Sequence, residues 1–372
     1  MSKNIAEIPV TEIVERVKSL GRSGGNTAQK IRGIVQDIYL REIPSKFDWN
    51  FMLVSSGLTT IAQYNNGTIS INTGDTSAVF SSDVVITAGM VGRKFNITGD
   101  GGVYEITSMS STTSCVINPS YQATQNVTNQ SYVIFQPVYP LSGDFDRFPK
   151  PGGIYRQTGG QKKIMEEYQY RPYIDNYRNV PVTEPEKCRL VGTDTAGNQL
   201  VELIPPPANT ENLGYDYFKQ LRPLSETTAG TLSSINAGAT LVTGNTNTRF
   251  TQATTGDWFR VDALGTGADS QWYRIISITH DSSLTLSTAF ANTSITSSAN
   301  FTISRAPEMP VRLHIGIMYG ALRSLELDQT DENYLFYHTQ YAQVMSDAKR
   351  IYVSRPYNQE ITGIQEDYLY RR

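Results

Sequence analysis

The sequence predicts an α+β fold: a helical-bundle core with a small β segment that carries two inserted β-sandwich or Ig-like modules. Apolar residues recur at helical spacing near both ends of the chain. Between them lie two stretches rich in Ser, Thr, Asn and Gly with short β-type runs, and these stretches align with each other as an internal repeat. The predicted domains are a discontinuous core (1–64, 140–227 and 306–354), module 1 (65–139), module 2 (228–305) and a C-terminal tail (355–372).

Composition limits the class of protein. Hydrophobic residues make up 39% and charged residues 18% of the 372 residues, which suits folded domains rather than a disordered chain. The net charge of −3 and a pI near 5.8 argue against a surface that grips nucleic acid. The 22 tyrosines point to protein interfaces, where a rigid ring with a polar tip is favoured.

The expected compartment follows from what the sequence lacks. Cys115 and Cys188 lie far apart, so neither a disulfide framework nor a thiolate metal cluster is expected. The N-terminus has no charged start followed by an apolar run, so no signal peptide is expected. No stretch approaches the roughly 18 apolar residues of a membrane span. The protein should be made in a cytoplasm and have no membrane partner.

Two N-terminal and two C-terminal helices are predicted from residues that recur every three or four positions. The second of these helices starts at a cap near Thr27, and the fourth starts at Thr330 or Asp331. On the third helix the predicted apolar face begins at Val311 and ends at Leu325. The residues expected to form the shared helical core are Ile31, Val35, Ile38, Ile315, Met318, Leu322, Tyr334, Tyr341 and Met345.

The two β-type stretches are predicted to be copies of one unit. Residues 104–134 align with residues 273–303 without a gap. The matched pairs upstream are Gly92 with Gly256, Phe95 with Phe259, and Ile97 with Val261. Matched apolar positions carry the argument, because alternation along a strand fixes which face is buried. Each copy predicts its own five-to-seven-stranded sandwich or small barrel, since two copies are too few for a solenoid.

When both modules are removed from the sequence, the segments that remain are the predicted helices and a middle β-type segment at about 140–226. An insertion with neighbouring ends costs its host little beyond loop closure. The modules are therefore interpreted as insertions that point outward from one helical core. There they would serve as braces or as docking platforms for collar or fibre proteins.

This remainder resembles the head-to-tail adaptor (head-completion or connector) proteins of tailed bacteriophages. The resemblance lies in the order of the segments and covers the chain outside the modules. Its motifs are residues 43–49 with their aromatic pair, 139–145, 200–207, 215–218, 222–224 and 341–343. One departure is Ser142-Gly143, where the family places a proline before the Asp-Phe pair. The large modules are a second departure.

The resemblance implies a virion structural protein rather than an enzyme. Such adaptors form a homo-oligomeric ring, usually a dodecamer, in the neck of the virion. The ring joins the portal protein of the capsid to a tail or nozzle protein and extends the channel, so DNA only passes through the lumen. The family's C-terminal tail often inserts into the portal. The candidate portal contacts here are Arg355, Pro356, Tyr357, Tyr368, Tyr370, Arg371 and Arg372.

The residue patterns predict no catalytic, cofactor-binding or metal-binding residue. His280, His314 and His338 form no ligand pair, and structural or surface roles are expected for them. Asp144 and Asp146 are spaced like a carboxylate pair, but the preceding Ser142-Gly143 indicates a turn.

Two other functions compete with the adaptor. In the first, a receptor-binding or decoration protein uses the paired modules to bind host-surface glycans, with Trp272 or Tyr121 as exposed handles. Both residues lie at or beside repeat-matched positions, which favours the core for them. In the second, a polysaccharide-degrading enzyme would need a carboxylate pair in a cleft, and the sequence offers none that can be named.

Overall fold

The structure of the chain is a computed structural model. It describes residues 7–21, 27–150, 152–158, 161–167, 184–262, 271–296, 298–326 and 331–353. The chain divides into two compact units: unit 1 joins Met1–Met52 to Leu221–Arg372, and unit 2 is Leu53–Gln220.

The predicted helical-bundle core with a small β segment is wrong. The described part of the chain is mostly β-sheet, with 35% of the described residues in strands arranged in several largely antiparallel sheets. The middle segment, predicted as a small β segment, forms an eight-stranded sheet together with β-strands at Leu53–Thr59 and Val138–Pro140, both of which precede it in the sequence. The helical periodicity near the ends of the chain does not predict these sheets, because their strands pair over long sequence distances that local patterns do not reveal.

The helices belong to unit 1. They are α1 (Val10–Leu20), α2 (Ala28–Asp37), α3 (Ile43–Lys46), α4 (Val311–Leu325) and α5 (Glu332–Tyr352), with a π turn at Ile38–Glu42 between α2 and α3. Side-chain caps start two of them: Thr27 accepts from the Lys30 N–H at 3.3 Å, and Asp331 accepts from the Asn333 N–H at 2.7 Å. These bonds satisfy N–H groups that have no partner inside the helix.

The remaining described chain contains 22 strands. The first eight are β1 (Leu53–Thr59), β2 (Ile69–Ile71), β3 (Ser77–Phe80), β4 (Lys94–Ile97), β5 (Tyr104–Ser111), β6 (Ser114–Asn118), β7 (Val127–Gln130) and β8 (Tyr132–Phe135). The next seven are β9 (Val138–Pro140), β10 (Phe145–Arg147), β11 (Gly153–Thr158), β12 (Gln161–Glu167), β13 (Lys187–Thr193), β14 (Gln199–Ile204) and β15 (Asn212–Lys219). The last seven are β16 (Glu226–Thr227), β17 (Leu232–Ile235), β18 (Leu241–Gly244), β19 (Trp258–Val261), β20 (Tyr273–His280), β21 (Ser283–Leu286) and β22 (Phe301–Ser304).

In unit 2, eight strands form one sheet in the order β1-β15-β11-β12-β13-β14-β9, with β10 also paired to β15. Its longest pairing joins β1 to β15, from Leu53 opposite Phe218 to Thr59 opposite Asn212. Buried Tyr139, Phe145, Tyr215 and other apolar side chains form its core. The sequence predicts only a small β segment here. In the structure, residues 53–64 and 140–220 belong to unit 2, whereas the helices that they were expected to join belong to unit 1.

Each module is a seven-stranded antiparallel sheet with its own buried core. In module 1 all seven strands belong to one hydrogen-bonded sheet. In module 2 the pairings form two ladders, one with β16, β22 and β19 and one with β17, β18 and β21, and the two ladders share β20. Module 1 contains the path β2-β3-β6-β5-β4-β8, and module 2 contains the path β17-β18-β21-β20-β19-β22. The two paths place the strands in the same order along the chain and across the sheet.

The two modules agree in detail as well as in topology. Phe95 lies opposite Ile134 in module 1, and Phe259 lies opposite Ile303 in module 2. The ring pair Tyr104–Tyr121 has centroids 5.7 Å apart at 44°, and its counterpart Tyr273–Phe290 has centroids 5.5 Å apart at 44°.

A matched glycine marks the same turn in both modules. Gly92 (φ 85°) and Gly256 (φ 97°) adopt the left-handed backbone region that favours glycine. Gly92 donates its N–H to the Ile106 carbonyl of β5 at 2.7 Å, and Gly256 donates its N–H to the Ile275 carbonyl of β20 at 2.8 Å. A shared turn of this kind, together with the shared strand order, makes the modules two copies of one fold.

Hydrogen bonds and an ion pair connect module 2 to α1 within unit 1. The Val10 N–H donates to the Arg305 carbonyl at 3.0 Å, and the Thr11 N–H donates to Ser304 Oγ at 3.1 Å. Arg260 Nη2 contacts Glu15 Oε1 at 2.9 Å. Module 2 therefore differs from the predicted outward-pointing insertion, because its last strand is part of the helix packing.

Candidate functional site

The helices of unit 1 converge where two glycines let α4 approach its neighbours. A Cβ atom at Gly320 would lie 3.2 Å from both Ile38 and Tyr341, and one at Gly316 would lie 2.9 Å from Met345. Glycine suits these points because a side chain would force its neighbours to shift: the flexible end of Met345 at Gly316, and Ile38 and the Tyr341 ring at Gly320. The close approach brings α2, α4 and α5 together around Tyr341.

A charged pair lies beside Tyr341. Arg323 Nη2 donates to both carboxylate oxygens of Glu42, at 2.9 and 2.8 Å, and its guanidinium stands 4.6 Å from the Tyr341 ring centroid. Burial alone would raise the pKa of Glu42, but the hydrogen bond from Arg323 and the nearby cations outweigh it and hold that pKa below its usual range. Burial and the Glu42 charge raise the pKa of Tyr341. Glu42 is thus an ionised anchor for α4.

A small basic pocket opens next to this anchor. Its volume is about 330 Å³, and its lining includes Lys46, Arg323 and Lys349 beside Phe47 and Tyr341. The ammonium groups rest against rings: Lys46 Nζ is 5.2 Å from the Tyr341 centroid, and Lys349 Nζ is 4.8 Å from that of Phe47. These cations stabilise the junction of α3 with α5.

The start of α5 carries an exposed aromatic patch, defined here as Tyr319, Tyr334, Leu335, Phe336 and Tyr337. Leu335 is 52% exposed and Phe336 is 54% exposed, although both are large apolar side chains. The Tyr319 and Tyr337 rings stack with centroids 6.5 Å apart, and Phe336 meets Tyr337 edge-on at 5.5 Å. The rings of Tyr319, Tyr334 and Tyr337 are half-buried, so Leu335 and Phe336 form the exposed part of the patch. Exposed large apolar side chains on an ordered helix are typical of an interaction surface.

The predicted helical-core residues occupy different environments. Those that are buried are Ile31, Val35, Ile38, Leu322, Tyr341 and Met345, whereas Met318 and Tyr334 are half-buried. Ile315 is 36% exposed, so its assignment to the core is corrected. Leu313 and Ile317 take its place, because α4 packs through the face that contains Gly316 and Gly320.

The role of His314 was not foreseen from the sequence. This side chain is fully buried at the start of α4, where Nδ1 accepts the Ile8 N–H at 3.0 Å. Nε2 lies 3.1 Å from the Pro307 carbonyl and 3.0 Å from the Met309 carbonyl, so the proton belongs on Nε2. Burial lowers the pKa of His314, and the two carbonyls only partly oppose it. No pattern around a single histidine in a helix would have revealed these three contacts.

The other sequence candidates are engaged structurally. Asp144 Oδ1 accepts the Tyr217 hydroxyl at 2.6 Å, and Asp146 pairs with Arg147 at 2.5 Å. Burial would raise the pKa of Asp144, but the Tyr217 hydrogen bond and its neighbours lower it. This carboxyl is an ionised acceptor, which is unlike a general acid.

The surface histidines are also accounted for. His280 is exposed at the end of β20, where its Nδ1 lies 3.1 Å from Ser282 Oγ, and His338 stacks on Tyr334 with ring centroids 5.8 Å apart. Within the described parts of the chain, no three His, Cys, Asp or Glu side chains cluster closely enough to hold a metal ion. No helix among the described residues combines the length and apolar character that a bilayer span requires.

The proposed glycan handles lie in the modules. Tyr121 is buried in the module 1 core, so it cannot serve as an exposed handle, and Trp272 is half-buried beneath Arg260 at 4.6 Å. The predicted portal contacts at Arg355, Pro356, Tyr357, Tyr368, Tyr370, Arg371 and Arg372 lie outside the described residues.

No protein-family model matches the chain, and no curated protein matches it in sequence. The surfaces described above are therefore the basis for assigning a function.

Proposed function

We propose that the protein is a virion structural protein that forms a ring between the capsid portal and the tail of a bacteriophage, with DNA passing through the lumen. The observation that carries the proposal is the exposed aromatic patch on the α4–α5 hairpin, with Leu335 and Phe336 more than half exposed. Because each of these side chains is already about half buried, it gains about 1 kcal/mol when a partner covers the rest. We assign the partner as the next copy of the same chain.

Two further features favour this assignment. The patch lies on packed helices, with its neighbour α4 held by the Arg323–Glu42 anchor, so an interface there would be rigid. The net charge of −3 also suits a lumen through which DNA slides without a strong grip. The portal protein, a tail or nozzle protein, and fibre or collar proteins at the modules complete the proposed partners.

Self-assembly tests the proposal through the double variant Leu335→Ser/Phe336→Ser. Electron microscopy and sedimentation of the purified wild-type chain should give rotationally symmetric rings, and the variant should stay monomeric with an unchanged melting temperature. The matched control is Leu241→Ser, which removes an equally exposed leucine (54%) from module 2 and should leave ring formation intact. Assembly by the double variant, or a wild-type chain that is monomeric with and without portal, contradicts the proposal.

The C-terminal tail remains the proposed portal anchor. Truncation after Ser354 should leave the melting temperature unchanged, since α5 ends at Tyr352, and should weaken co-sedimentation with portal assemblies. Equal portal binding by the truncated chain would remove the tail from the proposal.

A further inference from the structure

A large groove lies at one end of module 1. It has a volume of about 950 Å³ and is bounded by the turn at residues 98–102 and the segment at residues 121–128. This volume is at the upper end of the roughly 300–1,000 Å³ typical of small-molecule sites. The polar side chains that line it include Asp100, Gln122, Gln125, Asn126, Thr128 and Gln130.

The groove is built on the tyrosine pair of the module core. Tyr104 and Tyr121 are both buried, and the Tyr104 hydroxyl donates to Asp100 Oδ2 at 2.6 Å. This bond fixes the carboxylate at the rim and leaves Oδ1 without a hydrogen-bond partner among the described residues. Asp100 therefore presents a fixed acceptor to the groove.

The amide side chains are also oriented by bonds within the module. Asn126 Oδ1 accepts the Thr73 N–H at 2.9 Å, which leaves its NH₂ group as a donor. Gln122 Nε2 donates to the Ser120 carbonyl at 2.9 Å, and Gln130 Nε2 donates to the Thr98 carbonyl at 3.1 Å. Both glutamines keep their carbonyl oxygens as acceptors. A fixed mixture of donors and acceptors matches hydroxyl groups, which both donate and accept.

The charge of the residues that line the groove limits the class of ligand that it can bind. Among the described residues that line the groove, Asp100 is the one charged side chain, and it is negative. Phosphate, sulfate and uronate groups need cationic partners and would be repelled here. The lining suits an uncharged ligand.

Module 2 shows that the fold does not require these amides. The gapless alignment places Ala291 at the position of Gln122, Ile295 at Asn126 and Ala299 at Gln130. The ring pair beneath is preserved in module 2, and the Tyr273 hydroxyl there accepts the Ala291 N–H at 3.0 Å. The same fold is thus built without the amides, so their presence in module 1 calls for a reason other than stability.

We propose that this groove binds a neutral oligosaccharide, with Asp100, Gln122, Asn126 and Gln130 hydrogen-bonding its hydroxyl groups. The groove is larger than one sugar ring needs, so the ligand class is a chain of neutral hexoses or N-acetylhexosamines. This inference is independent of the proposed ring, because it rests on module 1 alone.

The test uses the full-length chain on an array of neutral and acidic oligosaccharides, followed by calorimetry with the neutral oligosaccharide that gives the strongest signal. The key variant, Gln122→Ala/Gln130→Ala, installs the residues of module 2, which the fold accommodates. We expect it, and Asp100→Asn, each to weaken binding by about tenfold or more at an unchanged melting temperature. Glu105→Gln is the charge-matched control: this exposed β5 residue lies outside the groove lining and should leave affinity unchanged.

Three outcomes would overturn the inference. They are no neutral oligosaccharide bound at millimolar concentration, binding restricted to acidic oligosaccharides, and affinity retained by both groove variants.

Discussion

At the scale of single residues, His314 shows how one buried polar group can tie distant segments together. Its ring links the Ile8 N–H to the carbonyls of Pro307 and Met309, so the approach to α1 and the start of α4 share one side chain. Only the neutral ring fits, because a proton on Nδ1 would face the Ile8 N–H. The packing of α1 on α4 therefore depends on the protonation state of His314.

His314 should make stability fall in mild acid. Its pKa in the folded state lies below the ordinary value of 6.5, so the contribution of the neutral ring is fully present above that pH. The contribution is lost as the pH falls from there toward the folded-state pKa, because unfolding then takes up a proton. Urea unfolding between about pH 8 and pH 5 measures this loss.

The variant His314→Gln separates this effect from carboxylate titration. It should cost about 1–3 kcal/mol at the higher pH, where buried hydrogen bonds are lost, and it should flatten the slope between about pH 7 and pH 5. A variant whose stability has the same pH slope as the wild type would show that His314 is not the group responsible.

At the scale of elements, the faces of α4 explain why part of the prediction failed. The pattern through Val311, Ile315 and Met318 has helical spacing, so the helix itself could be predicted. Hydrophobicity alone could not identify the packed face of α4, because that face contains Gly316 and Gly320. These glycines allow close packing because they have no side chain. α1 lacks such glycines, and apolar spacing identifies its buried residues Ile13, Val14 and Val17, although Leu20 at the same spacing is 52% exposed.

Substitution of Gly320 should test this close approach. Gly320→Val places new atoms where a Cβ alone already meets Ile38 and Tyr341 at 3.2 Å, so overpacking should destabilise the fold by about 1–3 kcal/mol. Gly33→Ala is the control: a Cβ added at that α2 glycine would meet no described atom within 4 Å, and alanine should stabilise the helix by about 0.5–1 kcal/mol. Thermal melts that move in the same direction for both variants would refute the role assigned to Gly320.

At the scale of the whole molecule, the internal repeat could be predicted but the division of the chain could not. The repeat could be recognised from matched positions such as Phe95 and Phe259, because the alternation of buried and exposed residues along a strand is a pattern of neighbouring residues. The sheet of unit 2 depends on pairing Leu53 with Phe218, which no local pattern encodes. The abundance of tyrosine indicates an interface, but the sequence does not reveal that Leu335 and Phe336 are exposed in the folded chain.

Deletion of residues 228–306 should destabilise the helices of unit 1. It removes Ser304 and Arg305, whose oxygen atoms accept the N–H groups of Thr11 and Val10, and each of these hydrogen bonds contributes about 0.5–1.5 kcal/mol. Melting followed by far-ultraviolet circular dichroism should show a clear loss. Glu15→Gln, which removes only the half-exposed partner of Arg260, should change stability by less than about 1 kcal/mol. Unchanged melting of the deletion would mean that module 2 is an independent insertion after all.

The central claim, a ring between portal and tail, is tested most directly by reconstruction of the neck of assembled particles in which this chain carries a small fused tag. We expect an annular density between portal and tail, with one tag per ring subunit and the patch of Leu335 and Phe336 covered by the adjacent copy. Tags on the capsid surface or at the fibre tips, with none in the neck, would contradict it.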